Sequence, residues 1–300
     1  MSENKIQQTP PHRVIYFLVF LLAFTYAAFL LTSRMGGTPV ASLLIMWTPA
    51  LAAILASFLT RRSFKEMGWG LRPVKWLAVG WVIPILYGCM AYIPLWLTRL
   101  GGVPNPTFLE RARLTLNMPT GADVLVIFSA FGFISIVNLL PAMLMSLGEE
   151  VGWRGFLVPE LSKWIGFRKA SLLSGVVWGA WHLPGILSGD YGASDTPLAF
   201  RLACFIAIVL FTGVIFAWLR TKSGSLWPAV IMHAAHNNVI QAFFDRITFD
   251  TGYTSYFTGE FGIALVISTL VVGWVCWRQF DSLDHYETKA PNLQTQINAS

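Results

Sequence analysis

Apolar residues occur in long uninterrupted stretches along the chain, separated by short polar and basic segments. Eight stretches of 17 to 26 residues contain no Asp, Glu, Lys or Arg: 14–33, 35–60, 76–98, 124–148, 170–189, 202–219, 223–244 and 261–277. A helix rises about 1.5 Å per residue, so about 20 apolar residues cross the hydrocarbon core of a bilayer. None of the stretches alternates with the period of two that is typical of a membrane β-barrel. The pattern therefore predicts an all-α, polytopic integral membrane protein, a bundle of about eight transmembrane helices.

Polar segments flank this apolar region on both sides. Residues 1–13 and 281–300 are predicted to be tails, and residues 14–280 are predicted to form one membrane domain, because the sequence shows no internal repeat and no soluble domain. The first apolar stretch follows the basic residues Lys5 and Arg13, as the apolar core of a signal peptide follows its basic segment. It is too long for a signal-peptide core and no clear cleavage site follows it, so we expect a retained helix.

The composition agrees with a membrane protein. Of the 300 residues, 55% are hydrophobic and only 12% are charged, and the mean hydropathy is +0.59. Soluble domains carry roughly 25% charged residues, so the composition excludes a soluble enzyme, a disordered chain, a nucleic-acid binder and a disulfide scaffold. Cys89, Cys204 and Cys276 all lie in apolar stretches, where we expect buried thiols and neither disulfides nor metal ligands.

The basic residues predict an orientation in the membrane. With eight spans and a cytoplasmic first tail, 15 of the 21 Lys and Arg residues fall in cytoplasmic segments and 6 fall outside. Basic residues are enriched in cytoplasmic loops, where anionic lipid attracts them. We therefore expect a multi-pass protein of the cell membrane with both tails in the cytoplasm, and the net charge of +6 reflects these loops.

Ionisable residues enter the predicted spans at a few positions. Three of the five histidines, His182, His233 and His236, lie inside apolar stretches, and the fourth stretch ends at the adjacent carboxylates Glu149 and Glu150. Ionisable groups at membrane depth cost several kcal/mol, so each is a candidate functional residue.

Helical spacing arranges these residues into stripes. Three pairs lie four positions apart and share a helix face: Glu150 and Arg154, Trp178 and His182, and His233 and Asn237. Polar stripes avoid lipid only by facing one another, which predicts a polar cavity inside the bundle.

The depths of these residues constrain the helix boundaries. If the spans begin with the apolar stretches, His233 lies about 15 Å and His182 about 18 Å into the core, whereas Glu149 and Glu150 lie at the cytoplasmic end of the fourth span. The positions agree only if the helix that carries the glutamates runs past Gly148, or if the fifth and seventh spans begin later.

The motifs resemble those of the CAAX-protease and bacteriocin-processing (CPBP) family of intramembrane glutamate endopeptidases, which includes the prenyl-protein CaaX endopeptidase. Three family motifs match in order on separate predicted spans: Glu-Glu-x-x-x-Arg at 149–154, Phe-x-x-x-His at 178–182 with Trp178 in place of Phe, and His-x-x-x-Asn at 233–237. The resemblance implies an eight-helix membrane fold with a protease core at about 124–244.

The resemblance also implies roles for individual residues in peptide-bond hydrolysis. Glu149 would be the general base that activates water, and His182 would help to hold that water. His233 and Asn237 would donate hydrogen bonds to the oxyanion of the tetrahedral intermediate.

Other residues would support these four. By the same resemblance, Glu150 and Arg154 would fix the end of the helix and tune Glu149, and Trp178 would form the cavity wall. His236 lies outside the motifs and has no predicted role.

Two alternative functions remain open at this stage. His182, His233, His236 and the two glutamates could surround Zn²⁺ in a zinc-dependent membrane protease, although the His-Glu-x-x-His pattern is missing. A non-enzymatic immunity or regulatory membrane protein is the other. The leading interpretation is an intramembrane endopeptidase without a cofactor, acting at the lipid bilayer on membrane-associated protein or peptide substrates, lipidated or not, with no nucleic-acid partner.

Overall fold

The structure is a computed structural model that describes residues 12–36, 38–71 and 73–280. The predicted tail segments 1–11 and 281–300 lie outside the described residues, as do Gly37 and Arg72. Three basic residues of the predicted charge asymmetry, Lys5, Arg72 and Lys289, are therefore also outside the description.

The described chain is built of helices. The α-helices are α1 (His12–Thr32), α2 (Pro39–Met46), α3 (Thr48–Leu59), α4 (Lys75–Leu97), α5 (Pro106–Leu116), α6 (Asp123–Gly132), α7 (Leu139–Glu150), α8 (Val158–Ser188), α9 (Leu198–Ser223), α10 (Trp227–His236), α11 (Asp245–Ile247) and α12 (Ile263–Arg278). Three π-helical segments continue α6, α7 and α10: Phe133–Val137, Val151–Leu157 and Asn237–Phe244. Outside the gaps in the description, the β-structure amounts to an isolated bridge between Gly102 and Phe249.

The helices confirm the predicted fold class. Each of the eight predicted stretches overlaps at least one α-helix. Five helical segments are long and apolar enough to cross a membrane: His12–Thr32, Pro39–Leu59, Lys75–Leu97, Leu139–Ser188 and Leu198–Ser223. Shorter apolar helices at Asp123–Val137 and Ile263–Arg278 add to these. The protein is an all-α, polytopic membrane protein.

The predicted end of the fourth span at Gly148 is wrong. Helix α7 continues through the π segment Val151–Leu157 into α8, and the backbone first leaves helical geometry at Gly166, where φ is +73°. Glu149 and Glu150 therefore lie inside a continuous helix, and their side chains are only 2% and 0% exposed. Of the two ways to reconcile the depths, the structure shows a glutamate-bearing helix that runs past Gly148.

Close packing explains why Gly148 and Gly152 do not end the helix. A Cβ atom at Gly148 would lie 2.6 Å from the carbonyl oxygen of Met46, and one at Gly152 would lie 2.4 Å from Cβ of Pro49. Both glycines therefore allow the junction between α2 and α3 to pack closely against the helix that carries the glutamates. Glycine here serves close approach and not termination.

Helices α9 and α10 form the centre of the bundle. Nearly every residue of α10 is buried, and α9 is the most buried of the five long helices. Helix α10 packs mainly against α4 and α7, and α9 packs mainly against α8 and α12. The third motif thus lies on a central helix beside the helix that carries the glutamates.

Helix α5 was not predicted from the apolar pattern. It follows α4, and Asn105 caps it by accepting a hydrogen bond of 3.0 Å from the amide of Thr107. It carries Glu110, Arg111 and Arg113, so a search for charge-free stretches does not detect it.

Candidate active site

A cavity of about 570 Å³ lies where α7, α8 and α10 meet. Five of the predicted site residues line it: Glu149, Trp178, His182, His233 and Asn237. Apolar residues of α2 and α9, among them Ile45 and Ile208, complete the wall. Two of the three predicted stripes therefore line one cavity together with Glu149, whereas the stripe of Glu150 and Arg154 is not part of its wall.

The Glu149 carboxylate is held by two indoles. Nε1 of Trp178 donates a hydrogen bond of 2.7 Å to Oε2 of Glu149, and Nε1 of Trp153 donates one of 3.2 Å to the same oxygen. Within the described part of the chain, Oε1 of Glu149 has no hydrogen-bond partner. One oxygen is thus fixed and the other is available to a molecule in the cavity.

Glu150 points to a different set of partners. Its Oε1 accepts a hydrogen bond of 2.9 Å from Nη1 of Arg154 and lies 2.9 Å from Nδ1 of His233. The Arg154 guanidinium also lies over two aromatic rings, 4.1 Å from the centroid of Phe216 and 4.6 Å from that of Trp178. Arginine favours such stacked, buried pairs because its planar guanidinium is weakly hydrated. Glu150 thereby joins the glutamate-bearing helix to α10.

The contact of His182 indicates its tautomer. Nδ1 of His182 lies 2.9 Å from the carbonyl oxygen of Trp178, one helical turn earlier. A carbonyl oxygen only accepts hydrogen bonds, so Nδ1 carries the proton. In the neutral imidazole, Nε2 is then an acceptor with a free lone pair.

His233 and Asn237 differ in how they are held. Nδ1 of His233 is occupied by Glu150, which leaves Nε2 for the cavity. Asn237 is half-buried in the cavity wall, at the start of the π segment that follows α10. Such π segments occur frequently at functional sites. The Asn237 amide makes no side-chain hydrogen bond to any described residue and is free to donate.

The same wall holds a second polar network, which was not predicted from the sequence. Oε1 of Glu260 lies 2.8 Å from Nε2 of His236, and Oε2 accepts hydrogen bonds from Tyr191 and, at 3.0 Å, from Gln241. On its other side, Nδ1 of His236 lies 2.5 Å from the hydroxyl of Tyr87. Both ring nitrogens of His236 are therefore engaged. The signal available in the sequence was a lone acidic residue directly before the last apolar stretch.

These contacts bear on the zinc alternative. Across residues 12–36, 38–71 and 73–280, no three His, Cys, Asp or Glu side chains are arranged to hold a metal ion. His236 in particular is turned toward Tyr87 and Glu260, and its ring nitrogens are not free for a metal beside His233.

The fold and the site define a class of protein: a polytopic helical membrane protein whose bundle encloses a glutamate–histidine cavity. Residues 124–239 match the family model described as type II CAAX prenyl endopeptidase Rce1-like. This match over part of the chain confirms the resemblance to the CAAX-protease and bacteriocin-processing family that was drawn from the motifs.

A curated protein is similar to part of this chain. The chain is 30% identical over 128 residues to CAAX prenyl protease 2 of Methanococcus maripaludis. The similarity covers 40% of this chain and 47% of that protein. The chain thus spans about half the length of the curated relative that it matches.

Proposed function

We propose that this protein is an intramembrane endopeptidase in which Glu149 activates a water molecule for attack on a peptide bond. One observation carries the proposal: Oε2 of Glu149 is fixed by two indole donors, while Oε1 is free in a cavity shared with His182 and Asn237. A carboxylate fixed by one oxygen and open at the other suits a general base.

The first step is activation of water. The water would bind to Oε1 of Glu149 and to Nε2 of His182, whose lone pair is free because Nδ1 donates to Trp178. Glu149 takes a proton from the water while the water oxygen attacks the carbonyl carbon of the substrate. Glu149 then gives this proton to the leaving amine when the C–N bond breaks, so the base is regenerated.

The second requirement is stabilisation of the oxyanion. The Asn237 amide supplies one donor, since it is not engaged elsewhere among the described side chains. His233 supplies a second from Nε2 when its ring is an imidazolium, in which both nitrogens donate. Glu150 lies 2.9 Å from Nδ1 of His233 and stabilises that positive charge. This arrangement gives Glu150 a role through His233, away from the reacting atoms.

The cavity wall and the curated relative support a choice of substrate class. A wall that combines polar groups with apolar residues of α2 and α9 suits a peptide that reaches the bilayer. The curated relative is described as a CAAX prenyl protease. A lipidated CaaX-type peptide is therefore the first substrate to test, and the same peptide without its lipid is the matching comparison.

The experiment is cleavage of an internally quenched CaaX peptide by protein purified in detergent. We expect turnover by the parent protein and almost none by Glu149→Gln, because the amide keeps the shape of the side chain but does not accept the proton. The matched control is Glu110→Gln, which removes an exposed carboxylate on α5 far from the cavity. Equal turnover by Glu149→Gln and Glu110→Gln would disprove the role of Glu149.

A further inference from the structure

Glu260 is a largely buried carboxylate in the cavity wall that takes no part in the proposed chemistry. It lies in the short helical segment Gly259–Phe261, between α11 and α12, and its side chain is 13% exposed. Its oxygens receive contacts from three parts of the chain: Tyr191 after α8, His236 on α10 and Gln241 in the π segment that follows. Ionisable groups buried in a membrane protein are costly, so this carboxylate is a candidate functional residue.

The hydrogen bonds of Glu260 are those of an ionised carboxylate, which only accepts. The Tyr191 hydroxyl and the Gln241 amide donate to Oε2, and Nε2 of His236 donates at 2.8 Å to Oε1. Both oxygens of Glu260 are thereby engaged, in contrast to Oε1 of Glu149. Glu260 is therefore not a second candidate for the general base, and its role lies in what it holds.

One branch of this network leads to His182. Tyr191 donates to Glu260, and the centroid of its ring lies 5.7 Å from that of His182. The ring of Phe205 lies 5.2 Å from the His182 ring in an edge-to-face contact. The contact of Nδ1 with the carbonyl oxygen of Trp178 fixes one edge of the imidazole, and these rings limit how far it can turn. The hydrogen bond to Glu260 therefore holds one of the rings that orient Nε2 of His182.

A second branch leads to Asn237. His236 directly precedes Asn237, and Gln241 follows it by four residues in the same π segment. Glu260 receives hydrogen bonds from both, at 2.8 Å and 3.0 Å. The Tyr87 hydroxyl, 2.5 Å from Nδ1, holds the His236 ring from the other side. The backbone that carries the Asn237 amide is therefore held before and after that residue by one carboxylate.

The segment that carries Glu260 is itself anchored to the bundle. The backbone amide of Gly259 donates a hydrogen bond of 2.9 Å to the Tyr92 hydroxyl, which in turn donates to Asp245. On the other side of Glu260, the ring of Phe261 stacks on an aromatic ring of α9, with the two centroids 5.3 Å apart. Glu260 is thus fixed by its own neighbours, as a group that positions reactive residues must be.

We propose that Glu260 is a positioning residue that orients both His182 and Asn237 by holding their neighbours. It acts on His182 through the ring of Tyr191, and on Asn237 through the residues on either side of it in the chain. The role rests on the proposed function, in which His182 holds the attacking water and Asn237 stabilises the oxyanion. A single carboxylate thereby keeps the water site and the oxyanion site in register with each other.

The first test is the kinetics of Glu260→Gln on the quenched CaaX peptide. The amide has the size of the carboxylate, but its nitrogen is a donor that would face another donor, so at least one contact is lost. A misplacement of about 1 Å typically costs about 10²-fold in rate, so we expect kcat to fall by about 10- to 100-fold with KM nearly unchanged. The matched control is Asp195→Asn, which removes an exposed carboxylate from the loop that carries Tyr191 and lies outside the cavity wall.

Tyr191→Phe tests the branch to His182 separately. It removes only the hydroxyl that donates to Glu260 and keeps the ring, so it decides the matter even if Glu260→Gln does not fold. We expect a smaller fall in kcat at constant KM. Because the hydroxyl acts through Glu260, the double variant should lose no more than Glu260→Gln alone, whereas independent effects would multiply. Multiplied losses, or parent-like kinetics of Tyr191→Phe, would overturn this branch.

Nitrogen NMR of the histidine rings gives a readout that does not depend on turnover. In protein made with isotope-labelled histidine and purified in detergent, Glu260→Gln should shift the ring signals of His182 and His236. The signals of His12, which is exposed at the start of α1, should stay unchanged and serve as the internal control.

The combined outcomes separate the positioning role from the proposed function. Equal turnover by Glu149→Gln and the parent protein, together with shifted signals of His182, would disprove the proposed function and leave the orientation by Glu260 standing. Parent-like kcat of Glu260→Gln, a change confined to KM, or unchanged signals of His182 would each overturn the positioning role.

Discussion

The indoles of Trp178 and Trp153 donate hydrogen bonds to the same oxygen of Glu149, although Trp178 lies 29 residues after Glu149 in the chain. The family motif has Phe at this position, and Phe has no donor. The Trp in this chain therefore does more than form the cavity wall: it fixes the carboxylate of the proposed base from a second helix.

Trp178→Phe should slow catalysis with little effect on substrate binding. The change keeps an aromatic ring and removes the hydrogen bond of 2.7 Å to Glu149. A hydrogen bond to a charged group contributes about 1.5–3 kcal/mol, but Trp153 remains as a donor, so we expect a fall in kcat of about tenfold at nearly constant KM. The control is Trp181→Phe in the same wall, because Nε1 of Trp181 donates to Thr25 and not to Glu149. Equal losses in both variants would show that Trp178 acts through packing alone.

The adjacent glutamates should separate into a catalytic and a supporting residue. Glu149→Gln is expected to lose nearly all turnover at unchanged thermal stability in detergent. Glu150→Gln should keep some turnover but unfold at lower temperature, because it takes the charge from a fully buried carboxylate that binds both Arg154 and His233. Breaking a buried pair costs about 3–5 kcal/mol. Kinetics and thermal unfolding of both variants test this, and the reverse pattern would exchange the two roles.

Asn237 should contribute mainly in the transition state. Loss of one oxyanion donor typically lowers kcat by about 10²–10³ with little change in KM. We expect this for Asn237→Ala, and a larger loss for Asn237→Asp, because an ionised acid would repel the oxyanion. The neighbouring Asn238 is the control: its amide donates 2.9 Å to the carbonyl oxygen of Ile134, and it is not part of the cavity wall. Asn238→Ala should therefore lower stability and leave kcat largely intact.

Removal of metal should distinguish the glutamate mechanism from the zinc alternative. With His236 bonded to Tyr87 and Glu260, we expect a chelator to leave turnover unchanged and His236→Gln to retain measurable activity. If zinc were the catalyst, the chelator and the His236 change would both abolish turnover, whereas Asn237→Ala would have little effect. Turnover of one peptide by the chelator-treated parent protein, by His236→Gln and by Asn237→Ala decides between the two mechanisms.

The sequence predicted the helical class and five of the residues that line the cavity because local information reports both. Charge-free stretches report membrane helices directly, and spacing of four residues places His182 beside Trp178, and Asn237 beside His233, on one helix face. Glu260 could not be found in this way, since its partners Tyr191, His236 and Gln241 come from distant segments that only the tertiary packing brings together. The end of the fourth span was misjudged for a related reason. A charged residue commonly marks the point where a membrane span meets water, but Glu149 and Glu150 find their partners inside the protein, so the helix continues past them.

The glycines beside the glutamates should therefore be sensitive to the smallest substitution. Ala at Gly148 or Gly152 would place a Cβ atom 2.6 Å from the carbonyl oxygen of Met46 or 2.4 Å from Cβ of Pro49, so the helix that carries Glu149 must shift. Overpacking of this kind costs about 1–3 kcal/mol, and we expect a lower unfolding temperature together with reduced kcat. The control is Gly132→Ala on α6, where the added Cβ atom would meet no atom within 4 Å. It should be neutral or slightly stabilising, since Ala is a better helix former than Gly. Thermal unfolding and kinetics of the three variants in detergent test the argument. A stabilising Gly148→Ala with normal kcat would show that the junction of α2 and α3 does not hold Glu149 in place.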